Sequence, residues 1–296
     1  SVRIPGVSYQ NYSQEWKDID NSLLDDDDFG HRMNKSNPFK NEMAAEKIYD
    51  LKDTTEKIVA IYKLLKTKLK WNGDYGFWGR SSRNILKDGS GDNADINFVL
   101  INMLHDAGIK ASPVVMSTRD HGRLPLSYPS MKFLNTFVVG AYTKDSTMVF
   151  IDSSVDDGFL NVLPANLLTD RARVKEKNNC KWVNLQNIAQ AKRDIRISAQ
   201  LNPQGVLTGM VKSTSINNLA ARVRDDFKHA KDSATFVSQK AQEEGLEITK
   251  YSISDRTSFS PSVCEDYSFS KNCEATADHI YVNPLVIIPI NDNPFT

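Results

Sequence analysis

The residues most suggestive of chemistry lie in "GSGDNADINFVLINMLHDAGI", Gly89 to Ile109. A glycine-rich loop here delivers a residue onto the first turn of a helix, where the helix dipole favours a developing anion and hence a nucleophile. The residue delivered is Asn93. An amide has no nucleophilic lone pair comparable to a thiolate, so any acting group must come from a neighbour. Ser90 precedes the helix, and His121 in "STRDHGRLP" sits in a loop that could fold toward it. Hydroxyl, imidazole and a carboxylate such as Asp152 would make an acyl-transfer set. The plainer role for Asn93 is capping, since asparagine accepts from backbone N–H groups at helix starts and its replacement by alanine costs ~1 kcal/mol.

The other reactive side chains do not assemble into motifs. His31, His105, His121, His229 and His279 show no H-x-x-x-H or H-E-x-x-H spacing. His105 lies on the same helix about 18 Å from Asn93 at 1.5 Å per residue, out of reach. Cys180, Cys264 and Cys273 form no C-x-x-C pair. Cys264 and Cys273 either bridge two neighbouring strands or stay unpaired, and Cys180 reads as structural. The run "LLDDDDFGHR" lacks the alternating ligands, glycine and closing glutamate of a calcium loop and reads as a solvated turn. No metal or other cofactor is expected.

Elements that would position these residues follow from periodicity. From Thr54, Ile58, Ile61, Tyr62, Leu65 and Leu69 recur at spacings of three and four, predicting an amphipathic helix. The aromatic loop "WNGDYGFWGR" follows, then a core helix carrying Ile96, Val99, Leu100, Met103 and Leu104 inward, with Gly108 as its C-terminal cap. "ASPVVMST" and "NTFVVGAYTKDSTMVFID" read as strands, with "TKDST" the turn of a hairpin. Beyond a less periodic stretch, "DIRISAQLNPQGVLTGMVKS" opens a second unit with a hairpin turned at "NPQG". "SINNLAARVRDDFKHAKDSATFVSQKAQEEG" reads as one or two helices, with strands near "LEITKYSIS" and "DHIYVNPLVIIPI". The pattern is α+β.

Composition bounds the partners. Lys plus Arg and Asp plus Glu both number 37 in 296 residues, so the chain lacks the positive field that nucleic acid or anionic membrane surfaces require. No run of about 18 apolar residues marks a membrane span. The opening "SVRIPGVSYQNYSQEW" has neither the basic nor the apolar region of a secretory leader.

Three motifs in order carry a resemblance: "GDNAD" with its "HDAGIKASPVV" continuation, then "FLNTFVVGAY", then "MVFIDSS". Together they resemble the transglutaminase-like domain of the papain-like cysteine enzymes, in the lineage of bacterial cell-envelope proteins. In active relatives a cysteine opens the helix, a histidine follows asparagine at a strand start, and an aspartate closes the next strand. Those positions fall here on Asn93, Thr136 (after Asn135) and Asp152. The thiol and the imidazole are therefore both replaced, leaving neither nucleophile nor base. The resemblance covers about Lys57 to Pro164 and extends to proteins in which an N-terminal β-rich domain, not found in this sequence, and a C-terminal one ending near "NPF" flank the domain.

The resemblance implies a papain-like core of helices packed on an antiparallel sheet, in a periplasmic or extracellular protein. The expected organisation is an extension or linker over 1–50, a transglutaminase-like domain over 51–190 and a β-rich domain with one or two helices over 191–296. The expected activity is none. The old cleft, lined by Trp71, Tyr75, Trp78, Ser90, Asp92, His121 and Asn135, would hold an extended peptide or an envelope protein. The alternative is a cysteine-independent hydrolase or acyltransferase using Ser90, His121 and Asp152. A third reading, a spacer, would have Trp71, Phe77 and Trp78 filling the cleft.

Overall fold

The computed structural model describes residues 15–155, 159–177, 179–256 and 259–287 and is of the α+β class. Residues 1–14 and the closing "NPF" lie outside the described residues. Contacts separate two compact units, Ser1–Asp156 with Leu163–Ile188, and Asp157–Val162 with Ala189–Thr296. Among the described residues no helix is long and apolar enough to cross a membrane.

In the first unit, the described part of 1–50 is built into the fold. Helix α1 (Trp16–Leu24) buries Trp16, Ile19, Asp20 and Leu23, and α2 (Lys40–Ala45) buries Met43. The Asp20 carboxylate receives Arg173 Nε at 2.8 and 3.0 Å and also Lys175 Nζ. Helix α3 (Thr54–Lys68) starts where Asp53 accepts from Glu56 N at 2.8 Å and buries Ile58, Ile61, Tyr62 and Leu65, as their spacing requires. Strand β1 (Lys70–Trp71) pairs in parallel with β2 (Ser90–Gly91), and α4 (Ser82–Asp88) lies between them in the chain.

Helix α5 (Asn93–Asp106) is buried at every position from Asn93 to Leu104, so polar residues share its interior with Ile96, Val99, Leu100 and Met103. It ends in a left-handed Gly108, φ 76°, whose N–H returns to His105 O. It packs on β3 (Ala111–Met116) and β4 (Thr136–Tyr142) and contacts α3 and α4. Those strands belong to a five-stranded antiparallel sheet completed by β5 (Met148–Ile151), β6 (Ala172–Val174) and β7 (Lys181–Val183), in the order β5-β4-β3-β6-β7. The hairpin expected at "TKDST" is the β4–β5 turn, where Ser146 takes φ 65°.

The second unit is a four-stranded antiparallel sheet with two helices. β8 (Lys192–Leu201) and β9 (Val206–Ile216) form the hairpin turned at Gly205, φ 82°. Helices α6 (Asn218–His229) and α7 (Ser233–Glu244) are separate because the chain turns at Ala230 and Asp232 caps the second, accepting from Thr235 N. β10 (Glu247–Ser254) and β11 (Ser262–Asn272) complete the order β10-β11-β9-β8. β11 was not legible as a strand. Its inward row is Val263, Glu265, Tyr267 and Phe269, and the glutamate interrupts the apolar alternation that marks strands. Antiparallel to β12 (Glu274–Ala275) runs the two-residue β13 (Ile280–Tyr281), the strand expected near "DHIYVNPLVIIPI", and residues 288–290 of that stretch lie outside the described set. Of the two alternatives for Cys264 and Cys273, the structure has the unpaired one. All three cysteines are free; Cys264 lies within β11 and Cys273 just beyond its last residue, about 30 Å apart for extended chain at ~3.3 Å per residue.

Candidate functional site

The site grows from the start of α5. Asp92, in extended backbone, accepts from Asp95 N at 2.8 Å and is the N-cap. The expectation that Asn93 caps the helix is thus corrected by one position: because Asp92 holds the first turn, the Asn93 side chain is released to bond across the core. Burial raises the Asp92 carboxyl above its usual range despite the N–H it accepts from Asp95. Asp95, fully buried, holds Arg80 Nε at 2.6 Å and accepts from Arg80 N at 2.7 Å. These bonds, with Asn93 N donating to Asp74 O at 3.2 Å, tie the aromatic loop to the helix start.

The three positions that the resemblance singles out converge. Asn93 Nδ2 donates to Thr136 Oγ1 at 2.7 Å, Phe137 O at 3.2 Å and Asp152 Oδ1 at 3.3 Å, while Asn93 Oδ1 accepts from Gly76 N at 2.8 Å. One turn along α5, Asn97 Nδ2 reaches the same Phe137 O and Asp152 Oδ1, each at 2.9 Å, and Asn97 Oδ1 accepts from Ser153 N at 3.0 Å. Asp152 Oδ2 accepts from Ser154 N at 2.9 Å and from the Ser154 hydroxyl. Exposures of 0, 0 and 1% for Asn93, Thr136 and Asp152 remove the group from solvent. Every amide hydrogen and carboxylate oxygen of this cluster is matched inside the protein, which is what a low-dielectric interior demands of buried polar groups.

At Asn93 and Thr136 the cluster offers hydrogen bonds and no thiol–imidazole pair. An amide neither attacks a carbonyl nor titrates near neutrality, and a threonine hydroxyl cannot serve as base. Tyr75 approaches from outside, its hydroxyl 3.1 Å from Ser154 Oγ, and burial holds that phenol above its ordinary range. Among the described residues no three His, Cys, Asp or Glu side chains gather closely enough to hold a metal ion.

The remaining candidates sit as follows. Trp71 is half-buried, its Nε1 donating to Asp74 O at 2.7 Å and its ring 5.3 Å from Tyr75. Phe77 is buried against Phe29, with ring centroids 5.1 Å apart, whereas Trp78 is exposed. Ser90 lies in β2, and its backbone oxygen accepts from Arg80 Nη2 at 3.2 Å. His121 is exposed with Nε2 3.3 Å from Lys132 O, and no hydrogen bond joins it to Ser90 or Asp152 among the described residues. Asn135 turns away from Asn93 and clamps Thr118, donating to Oγ1 at 2.8 Å and accepting from its N–H at 2.9 Å. Asn97, Ser153, Ser154 and Gly76 belong to the cluster and were not singled out from sequence. The signal for Asn97 was its i+4 spacing from Asn93 in an otherwise apolar helix.

At the same end of the sheet as Thr136, which pairs with Met116, lies a cavity of about 370 Å³. Ser117, Arg119, Arg123, Asp170 and Gln186 line it. Arg123 binds Asp170 through Nε at 2.9 Å, and the buried Ser117 hydroxyl has no hydrogen-bond partner among the described residues.

No protein-family profile matches the chain, and no curated protein matches it. A solved structure from Parabacteroides distasonis, named as a "putative protease", aligns with 91% of this chain at 12% identity and a TM-score of 0.33. The chain spans 58% of that structure's length. A similarity of this size defines neither fold nor activity.

Proposed function

We propose that the first unit is a transglutaminase-like, papain-like domain that has lost catalysis and binds an extended peptide or a partner protein of the bacterial envelope. One observation carries the reading: Asn93, at the position where active relatives place the nucleophile, is completely buried and bonded on both faces of its amide. Its partners Thr136 and Asp152 stand at the positions that the resemblance gives to base and orienting acid, each in hydrogen-bond contact with Asn93, which supports a site whose chemistry has been replaced. The polar cavity beside Ser117, Arg119 and Arg123 supports a binding role, because its arginines suit carboxylates or backbone carbonyls of an extended chain. The envelope setting and the papain-like core rest on the motifs "GDNAD", "FLNTFVVGAY" and "MVFIDSS".

The test is a turnover assay. Purified protein is incubated with amine and glutamine donors, and separately with fluorogenic peptides, and no turnover above buffer is expected. Turnover abolished by Asn93→Ala or Ser90→Ala would overturn the reading in favour of the hydrolase. A peptide array should meanwhile show retained peptides that Arg119→Ala with Arg123→Ala releases.

A further inference from the structure

The second unit holds its own cavity, about 680 Å³, enclosed by residues of β8, α6, α7 and β11. Glu265 of β11 lines it at 1% exposure. Its Oε1 accepts from Tyr251 hydroxyl at 2.7 Å and from Lys240 Nζ at 3.1 Å. Its Oε2 is buried and has no hydrogen-bond partner among the described residues. Glu244 shares the same ammonium, 3.1 Å from Lys240 Nζ, and its other oxygen accepts from Tyr267 hydroxyl at 2.6 Å. Two shielded carboxylates thus face a single ammonium, and one oxygen lacks a donor. Burial, with the charges of Glu265 and Glu244, pushes both tyrosine hydroxyls far above their ordinary range, so they remain donors.

The rest of the lining carries both charges: Asp226 and Glu243 lie along it, with Arg222 Nε 3.8 Å from Asp226 Oδ2 and His229 Nδ1 3.2 Å from Asp225 Oδ1. Arg222, His229 and Lys231 are exposed along it, and half-buried Arg193 donates Nε to Ser215 Oγ at 3.1 Å. Neither Arg193 nor Lys231 has a carboxylate within ion-pair distance among the described residues. A cavity with a buried, donor-deficient carboxylate and two cations, Arg193 and Lys231, that lack a carboxylate partner is complementary to a molecule carrying both charges.

We propose that this cavity binds a small zwitterion of the amino-acid or short-peptide class, its primary ammonium donating to Glu265 Oε2 and its carboxylate meeting Arg193 and Lys231. All these residues belong to the second unit, so the inference stands or falls separately from the reading of the first.

The full chain is titrated with triglycine, N-acetyltriglycine and triglycinamide by calorimetry, with amide spectra followed by NMR. Triglycine should bind and shift amides of β11 and α7. Removing the ammonium by acetylation should weaken binding at least about tenfold, and removing the carboxylate by amidation should weaken it several-fold. Glu265→Gln should lose triglycine by a similar factor. Lys231→Ala, at an exposed site with no effect expected on melting, should weaken triglycine but not triglycinamide, which keeps the result readable if Glu265→Gln fails to fold. No heat or shift with triglycine at its solubility limit, or equal binding of the acetylated peptide, overturns the proposal.

Discussion

At the scale of single residues, the polar cluster under α5 is a structural lock. Replacing Asn93 by alanine strips Asp152 and Phe137 O of one donor each and leaves the Gly76 N–H without its acceptor. We expect a loss of about 2–3 kcal/mol, read as a lower urea midpoint at unchanged slope. On the proposed reading Asn93→Cys restores no turnover, because the side chain beside it at Thr136 is a hydroxyl and not an imidazole; detectable transamidation by that variant would contradict the proposal. A second residue-scale prediction concerns Asp20. Burial alone would raise its carboxyl, but hydrogen bonds and charges from Arg173 and Lys175 outweigh it and hold the group below its ordinary value. A depressed carboxyl adds stability above the unfolded value, about 3.9, that is lost as pH falls through the folded value. Stability should therefore drop on acidification below about pH 4, and the drop should be shallower in Asp20→Asn. At neutral pH the same variant strands two buried cations and should cost about 3–5 kcal/mol, measured by denaturant unfolding.

At the scale of elements, the start of α5 depends on close approach by the aromatic loop. A Cβ at Gly76 would overlap the Asp92 carboxylate. Gly76→Ala must therefore turn the cap away from Asp95 N or lift the loop off Asn93 Oδ1. Either way it should cost about 1–2 kcal/mol in thermal melts, while Gly73→Ala, strained at φ 100° but with open space around it, should leave the α5 amides protected. Helices α3 and α5 and both hairpins were legible from sequence, since their apolar spacing and turn residues agree with their burial. β11 was hidden because a buried glutamate stands in its inward row. The strand survives the interruption because Tyr251 and Lys240 satisfy Glu265 Oε1 from neighbouring elements.

At the scale of the whole molecule, each unit carries its own buried core. Val114, Met116, Val138, Leu163 and Leu167 close the first, while Leu207, Val211, Tyr267 and Phe269 close the second. Phe137 is fully buried in the first unit beside Phe98 and Phe29. Phe137→Ala should remove about 3–5 kcal/mol from that unit. Hydrogen exchange should then accelerate across α5, β3 and β4 while β9 and β11 keep their protection; equal acceleration in both units would show that they unfold as one.

The sequence by itself determined the class of the fold, the loop that opens α5, and the three motifs whose order pointed to Asn93, Thr136 and Asp152. Those signals are local: periodicity, turn chemistry and helix-start residues act over a few positions and are readable in one dimension. Tertiary structure alone decided which groups these residues bond. Whether Asn93 capped its helix or crossed the core depended on Asp92 taking the first turn, and whether Asp152 met His121 or two asparagines depended on strand register and loop placement. Burial settled the remainder, because an amide at the surface is a solvated side chain and the same amide at 0% exposure must find every hydrogen bond inside the protein.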